Sequence, residues 1–123
     1  MRDYRKFTVW KRSHVLTMKI SKEIVPCFPD SERYGLASQI RRAVYSIPIN
    51  ISEGCSRNSE KDFAHFLEIS LGSSNELEYS LLLTRDLSFI NEAQYSVLNE
   101  KINAIKAMII NLIKKIRSDS KRQ

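Results

Sequence analysis

Four stretches of this chain carry apolar residues at three- and four-residue steps, and those stretches hold most of its large apolar side chains. In the first, Val9, Trp10, Leu16, Ile20 and Ile24 fall on one broad side. The second repeats through Leu36, Ile40, Val44, Ile47 and Ile51, and the third through Phe63, Leu67, Ser70, Ser74, Leu77 and Leu81. The fourth is the longest, with Tyr95, Leu98, Ile102, Ile105, Ile109, Leu112 and Ile116. An α-helix turns once every 3.6 residues, so each set lines one helical face, whereas a strand would need strict alternation. With 3 glycines and 3 prolines in 123 residues, the chain also lacks the punctuation of a turn-rich β fold.

The breaks between the stripes carry the expected signals. In "PCFPD", Pro26 and Pro29 end the first helix, and Asp30 or Ser31 is placed to cap the second. Gly54 and "CSRNS" close the second; Ser59 with Asp62 opens the third as a capping box, and Asn91 with Gln94 opens the fourth. The expected fold is all-α, an antiparallel up-and-down four-helix bundle, with helices at about 8–25, 31–54, 59–88 and 92–117 and fraying beyond Arg117. The length suits one domain over residues 1–123, with short basic tails at both ends. Small Ser70 and Ser74 would let a neighbouring helix approach closely.

Helices two and three are apolar on a second side as well. Tyr45 and Ile49 lie opposite the core stripe of helix two, and Ile69, Leu83 and Leu87 opposite that of helix three. A bundle needs one buried stripe per helix, so these five residues are expected to form a homo-oligomer interface.

The stretch "QIRRAVYSIPINISEG", residues 39–54, holds a proline inside a helical pattern. Pro48 lacks an N–H and crowds the carbonyl of Val44, a disruption of about 3 kcal/mol or more that normally bends a helix. Gln39, Arg42, Ser46, Asn50 and Glu53 run beside the apolar stripe. Asn50 or Ser46 is expected to satisfy the freed backbone, and Arg42 and Glu53 to pair across the bundle or between subunits, because buried charges need partners. On helix three, Glu78 is placed to meet an arginine, while Glu76 points to the second apolar side.

Catalytic chemistry finds little support. Glu76 and Glu78 stand two apart and diverge on a helix. Asp62, His65 and Glu68 could touch one metal ion, but charges at that spacing also describe a solvated face. His14 is isolated, and no phosphate-cradling glycine loop, serine nucleophile motif or zinc spacing occurs. Cys27 and Cys55 are expected to be reduced, partly buried thiols. The expectation is a protein that is not an enzyme and uses no metal or other cofactor.

Charge is distributed unevenly. Residues 1–22 carry seven basic and one acidic residue, residues 101–123 again seven and one, and residues 23–100 six and twelve, giving the net +6. In an up-and-down bundle the first and last helices are neighbours, so the basic blocks should merge. Arg12, Lys19, Lys101, Lys106, Lys114, Lys115 and Arg117 are the expected nucleic-acid contacts, with Tyr4, Phe7 and Trp10 near enough to stack on bases. No apolar run approaches the roughly 18 residues needed to span a bilayer, and "MRDYRKFTVWKRS" has no secretory h-region. A cytoplasmic location without membrane contact is expected.

Three segments, "VWKRSH", "ERYGLASQIRRAVYSIPINISEGCSRNS" and "FAHFLEISLGSSNELEYSLLL", resemble the small bacterial four-helix-bundle family of 23S rRNA intervening-sequence proteins. The resemblance spans about residues 5–115. Its motif positions here are Gln39, Arg41, Arg42, Pro48, Asn50, Glu53, Gly54, Gly72, Ser73 and Glu76. It implies an up-and-down bundle assembled as a homopentamer, without known enzymatic activity or cofactor. It also implies a link to RNA or DNA, since some relatives are encoded in ribosomal RNA gene insertions and similar basic bundles serve as accessories to a nucleic-acid enzyme. The leading expectation is therefore a homo-oligomer binding nucleic acid through its basic surface. The alternative is a purely structural or protein-interaction module.

Overall fold

The computed structural model describes residues 2–121. Four α-helices dominate it: α1 (Thr8–Lys19), α2 (Leu36–Cys55), α3 (Glu60–Asp86) and α4 (Glu92–Lys121). They form a four-helix bundle in which α2 packs chiefly on α3, α3 on α4, and α1 more loosely on both α2 and α4. Partner residues run in opposite directions on neighbouring helices. From Gln39 through Ser46 to Ile47 on α2, the partners on α3 descend from Glu76 through Ser73 to Ser70. Glu68 and Glu78 of α3 likewise meet Arg117 and Lys106 of α4. The core takes the predicted stripes, with Leu16, Ile40, Ile47, Leu67, Leu77, Leu98, Ile102 and Ile105 almost fully enclosed. No helix among the described residues is long and apolar enough to cross a membrane.

The first helix ends earlier than its periodicity predicts. It is α-helical only to Lys19, widens into a π turn at Ile20–Ile24, and tightens into a 3-10 turn at Val25–Cys27. Pro26 is the physical reason: it offers no N–H to the carbonyl four residues back and its ring crowds that carbonyl, so the regular ladder cannot reach it. Ile20 and Ile24 nevertheless remain in the core.

The second helix starts five residues later than expected, at Leu36 rather than 31. Asp30 and Ser31 sit in a short 3-10 turn, Asp30–Glu32, and cap nothing in α2. Glu32 does this work instead, its carboxylate accepting from the Leu36 N–H at 3.0 Å. A Cβ on Gly35 would stand 2.9 Å from that carboxylate oxygen, so the glycine makes room for the substitute cap. The other starts behave as read. Ser59 Oγ accepts from the Asp62 N–H at 3.1 Å, and Asn91 and Gln94 each accept the other's backbone N–H at 2.8 and 2.9 Å.

α2 runs through Pro48 without interruption. The carbonyl of Val44, which the proline cannot bond, accepts the Thr17 hydroxyl of α1 at 3.2 Å. The expected satisfiers act elsewhere: Asn50 Nδ2 donates to the Ser46 carbonyl at 2.8 Å and to Ser46 Oγ at 2.9 Å. At its far end, Gly54 lies so close to α3 that a Cβ would stand 3.0 Å from both Phe63 Cδ1 and Phe66 Cβ. Past the end of α3, Ser88 takes φ 65° within a turn in which the Phe89 N–H reaches back to the Thr84 carbonyl at 3.0 Å. α4 continues to Lys121, one turn beyond its predicted end.

Candidate functional site

The sequence motif of helices two and three becomes a polar seam along the α2/α3 junction. Ser46 Oγ and Ser73 Oγ share a hydrogen bond at 2.7 Å, which Asn50 extends. Gln39 donates to Glu76 and accepts from Arg42, so the three side chains form one chain. Deeper in, Ser70 Oγ donates to the Ile47 carbonyl at 2.9 Å, drawing the two backbones together as the small side chains predicted. Glu53 does not reach across the bundle as expected; it pairs with Arg57 one turn on, at 2.6 Å. Glu78 meets Lys106 at 3.2 Å rather than an arginine. A buried polar group is tolerated when hydrogen-bonded, and this seam is internally satisfied.

Beside the seam stand exposed apolar groups. Tyr45, Ile49, Ile69 and Leu87 are exposed and Leu83 is half-buried. Gly72 shares this side of α3, and a Cβ placed there would meet nothing within 4 Å. A glycine inside a helix costs about 1 kcal/mol relative to alanine, and nothing within this chain's packing requires one at that position.

The seven expected nucleic-acid contacts divide into separate groups. Lys19 pairs with Glu23, Lys106 with Glu78 and Arg117 with Glu68. Arg12 and Lys101 line a groove between α1 and α4, joined there by Lys11, which sequence reasoning passed over. The groove has a volume of about 420 Å³, and its remaining lining is Val15, Leu16, Val97, Glu100, Ala104 and Ile105. Val15 and Val97 are exposed along it. The available signal was Val15, a large apolar residue that falls off the core stripe of α1.

Lys114 and Lys115 are exposed near the end of α4. Ile116 and Arg117 border Glu60 and Lys61 of α3, and the N-terminal segment joins the same end through Arg2, whose N–H donates to the Cys55 carbonyl and whose guanidinium pairs with Glu60. Asp3 also pairs with Arg5 there, which holds the Asp3 carboxyl below its usual range by direct hydrogen bonding. Lys6, Lys61, Lys114 and Lys115 remain exposed and without an ion-pair partner among the described residues.

The aromatics near the N-terminus pack inward instead of forming a stacking platform. Tyr4 meets Trp10 edge-on at 4.8 Å, Phe7 meets Phe63 at 5.8 Å, and all three N-terminal rings pack against the core. Trp10 also stacks on His14. Asp62, His65 and Glu68 do not form a metal-holding group among the described residues, and Glu68 is engaged by Arg117. Both cysteines are free, but Cys27 is exposed rather than partly buried. Burial pushes the Cys55 thiol up, which disfavours the reactive thiolate.

Comparison with known proteins agrees with this architecture. No curated protein matches the chain. Among solved structures, it is similar to a protein of unknown function from the S23 ribosomal protein family of Bacteroides thetaiotaomicron, with 29% identity and a TM-score of 0.80. That likeness covers 86% of this chain and 95% of the other. The family described as 23S rRNA-intervening sequence protein matches residues 5–111, a span that takes in the polar seam, the α1/α4 groove and nearly all of the bundle. This chain therefore belongs to the 23S rRNA-intervening sequence protein family.

Proposed function

We propose that the protein is a non-enzymatic homo-oligomer, pentameric on the family resemblance, that binds RNA or DNA through phosphate contacts at the basic end of the bundle. The observation that carries this reading is that Lys6, Lys61, Lys114 and Lys115, on the N-terminal segment, the start of α3 and the last turns of α4, are exposed without ion-pair partners among the described residues. Lysine is a point charge that neutralises phosphate without reading sequence, and each neutralised phosphate releases counterions. With the N-terminal rings packed inward, binding rests on charge, with little stacking and little sequence preference. An oligomer repeats these lysines and gains avidity on a long polyanion. Such a protein would act in the cytoplasm, and an accessory role beside a nucleic-acid enzyme fits it.

The test is a salt titration with generic RNA and duplex DNA, monitored by fluorescence anisotropy. Binding should weaken linearly on a log–log plot, with a slope of about −0.9 for each phosphate neutralised on duplex DNA. Lys114→Glu combined with Lys115→Glu should weaken binding and flatten the slope while oligomer mass stays constant. Absence of binding at low salt overturns the nucleic-acid reading. It would favour the alternative of a structural or protein-interaction module, for which the apolar α1/α4 groove is the supporting feature.

A further inference from the structure

The bundle presents two unpartnered apolar faces on opposite sides. One is the α2/α3 face, where Ile49 is 62% and Ile69 38% exposed and where Gly72 leaves open space. The other is the α1/α4 groove, where Val15 is 59% and Val97 45% exposed. Because α1 packs beside α2 and α4, the two faces do not touch within one chain. A two-fold dimer through either face is self-complementary and leaves the other exposed in every copy. A head-to-tail contact uses one of each, and a closed ring of such contacts covers both.

Charge points the same way. The groove carries Lys11, Arg12 and Lys101 against one carboxylate, Glu100, and these cations have no ion-pair partner among the described residues. The α2/α3 side offers Asp62 and Glu76, both exposed and neither ion-paired among the described residues, beside the exposed Arg42 that bonds Gln39. The glycine at 72, unneeded by the chain's own packing, would let another helix approach there.

We infer that the α1/α4 groove is the seat for the α2/α3 face of a second copy of this chain, so that assembly is head-to-tail. The inference rests on the homo-oligomer reading above and names the two surfaces that meet. It also divides the basic residues by role. Arg12 and Lys101 serve assembly, whereas Lys114 and Lys115 stay free for phosphate.

The experiment is complementation between two surface variants, Val15→Glu in the groove and Ile49→Glu on the opposite face. Both positions are more than half exposed, so the fold should survive, and circular dichroism checks that it does. Light scattering should show wild type as an oligomer and each variant alone as a monomer. Mixed one to one, the variants should form a dimer, because the intact α2/α3 face of Val15→Glu fits the intact groove of Ile49→Glu. A monomeric wild type overturns the homo-oligomer reading and this inference together. A wild-type oligomer whose mass is unchanged by Val15→Glu overturns the groove assignment alone. Two monomeric variants that fail to pair on mixing show that the faces do not meet each other.

Discussion

The α2/α3 and α1/α4 junctions are built from the same kind of amphipathic helix, yet they close in different ways. Along α2/α3, small residues bring the backbones together, with Ser70 hydrogen-bonded to the Ile47 carbonyl and Gly54 pressed against Phe63 and Phe66. Along α1/α4, the long side chains of Lys11, Arg12 and Lys101 stand around a groove of about 420 Å³. The first pair of helices closes on itself and keeps exposed Ile49 and Ile69 only on its outer surface, whereas the second pair leaves a groove between its helices. Tight packing and internal hydrogen bonds mark the part of a surface that serves folding; uncovered apolar groups with unmatched charge mark the part available for association.

The sharpest way to break this contrast is to remove bulk from each junction. Ile47→Ala should destabilise by about 2–5 kcal/mol in urea unfolding, because Ile47 is fully enclosed beside α3. Val97→Ala should stay within about 0.5 kcal/mol, since the side chain is already substantially exposed. Equal losses would mean that the two junctions are equally closed. Gly54→Ala should cost about 1–3 kcal/mol by overpacking, as its new Cβ would crowd Phe63 Cδ1 at 3.0 Å and the Phe63 carbonyl at 3.2 Å. Gly72→Ala should instead stabilise an isolated subunit by about 1 kcal/mol through helix propensity.

A smaller effect tests how α1 is fastened to α2. Thr17→Val removes the hydroxyl that meets the Val44 carbonyl and should cost about 1 kcal/mol. The loss should shrink in a Pro48→Ala background, where residue 48 regains an N–H for that carbonyl; a double-mutant cycle reads the coupling. Lys106→Ala should also lose no more than about 1 kcal/mol, and less at high salt, because its bridge to Glu78 is partly exposed. Lys101→Ala should leave subunit stability unchanged, since Lys101 has no ion-pair partner among the described residues.

Much of the bundle was legible because a stripe such as Leu98, Ile102, Ile105 and Ile109 has one helical reading, and the chain offers few residues for any other core. The starts of α3 and α4 were legible for the same local reason: their caps sit within three residues of the N–H groups they satisfy. The start of α2 was not. Asp30 and Ser31 are good caps by type, but the chain forms a 3-10 turn there and Glu32 reaches forward instead. The basic surface was the least legible. Lys106 and Lys114 look alike in sequence, yet one faces a glutamate 28 residues away and the other faces solvent.

Sequence alone thus determined the four helices, their order and their core stripes, because these follow from periodicity and from contacts along the chain. Tertiary structure decided which polar groups are satisfied, which cations remain free and which junction stays open. Those outcomes depend on residues distant in sequence, such as Thr17 and Val44, Ser46 and Ser73, or Glu68 and Arg117, that meet only when helices pack side by side.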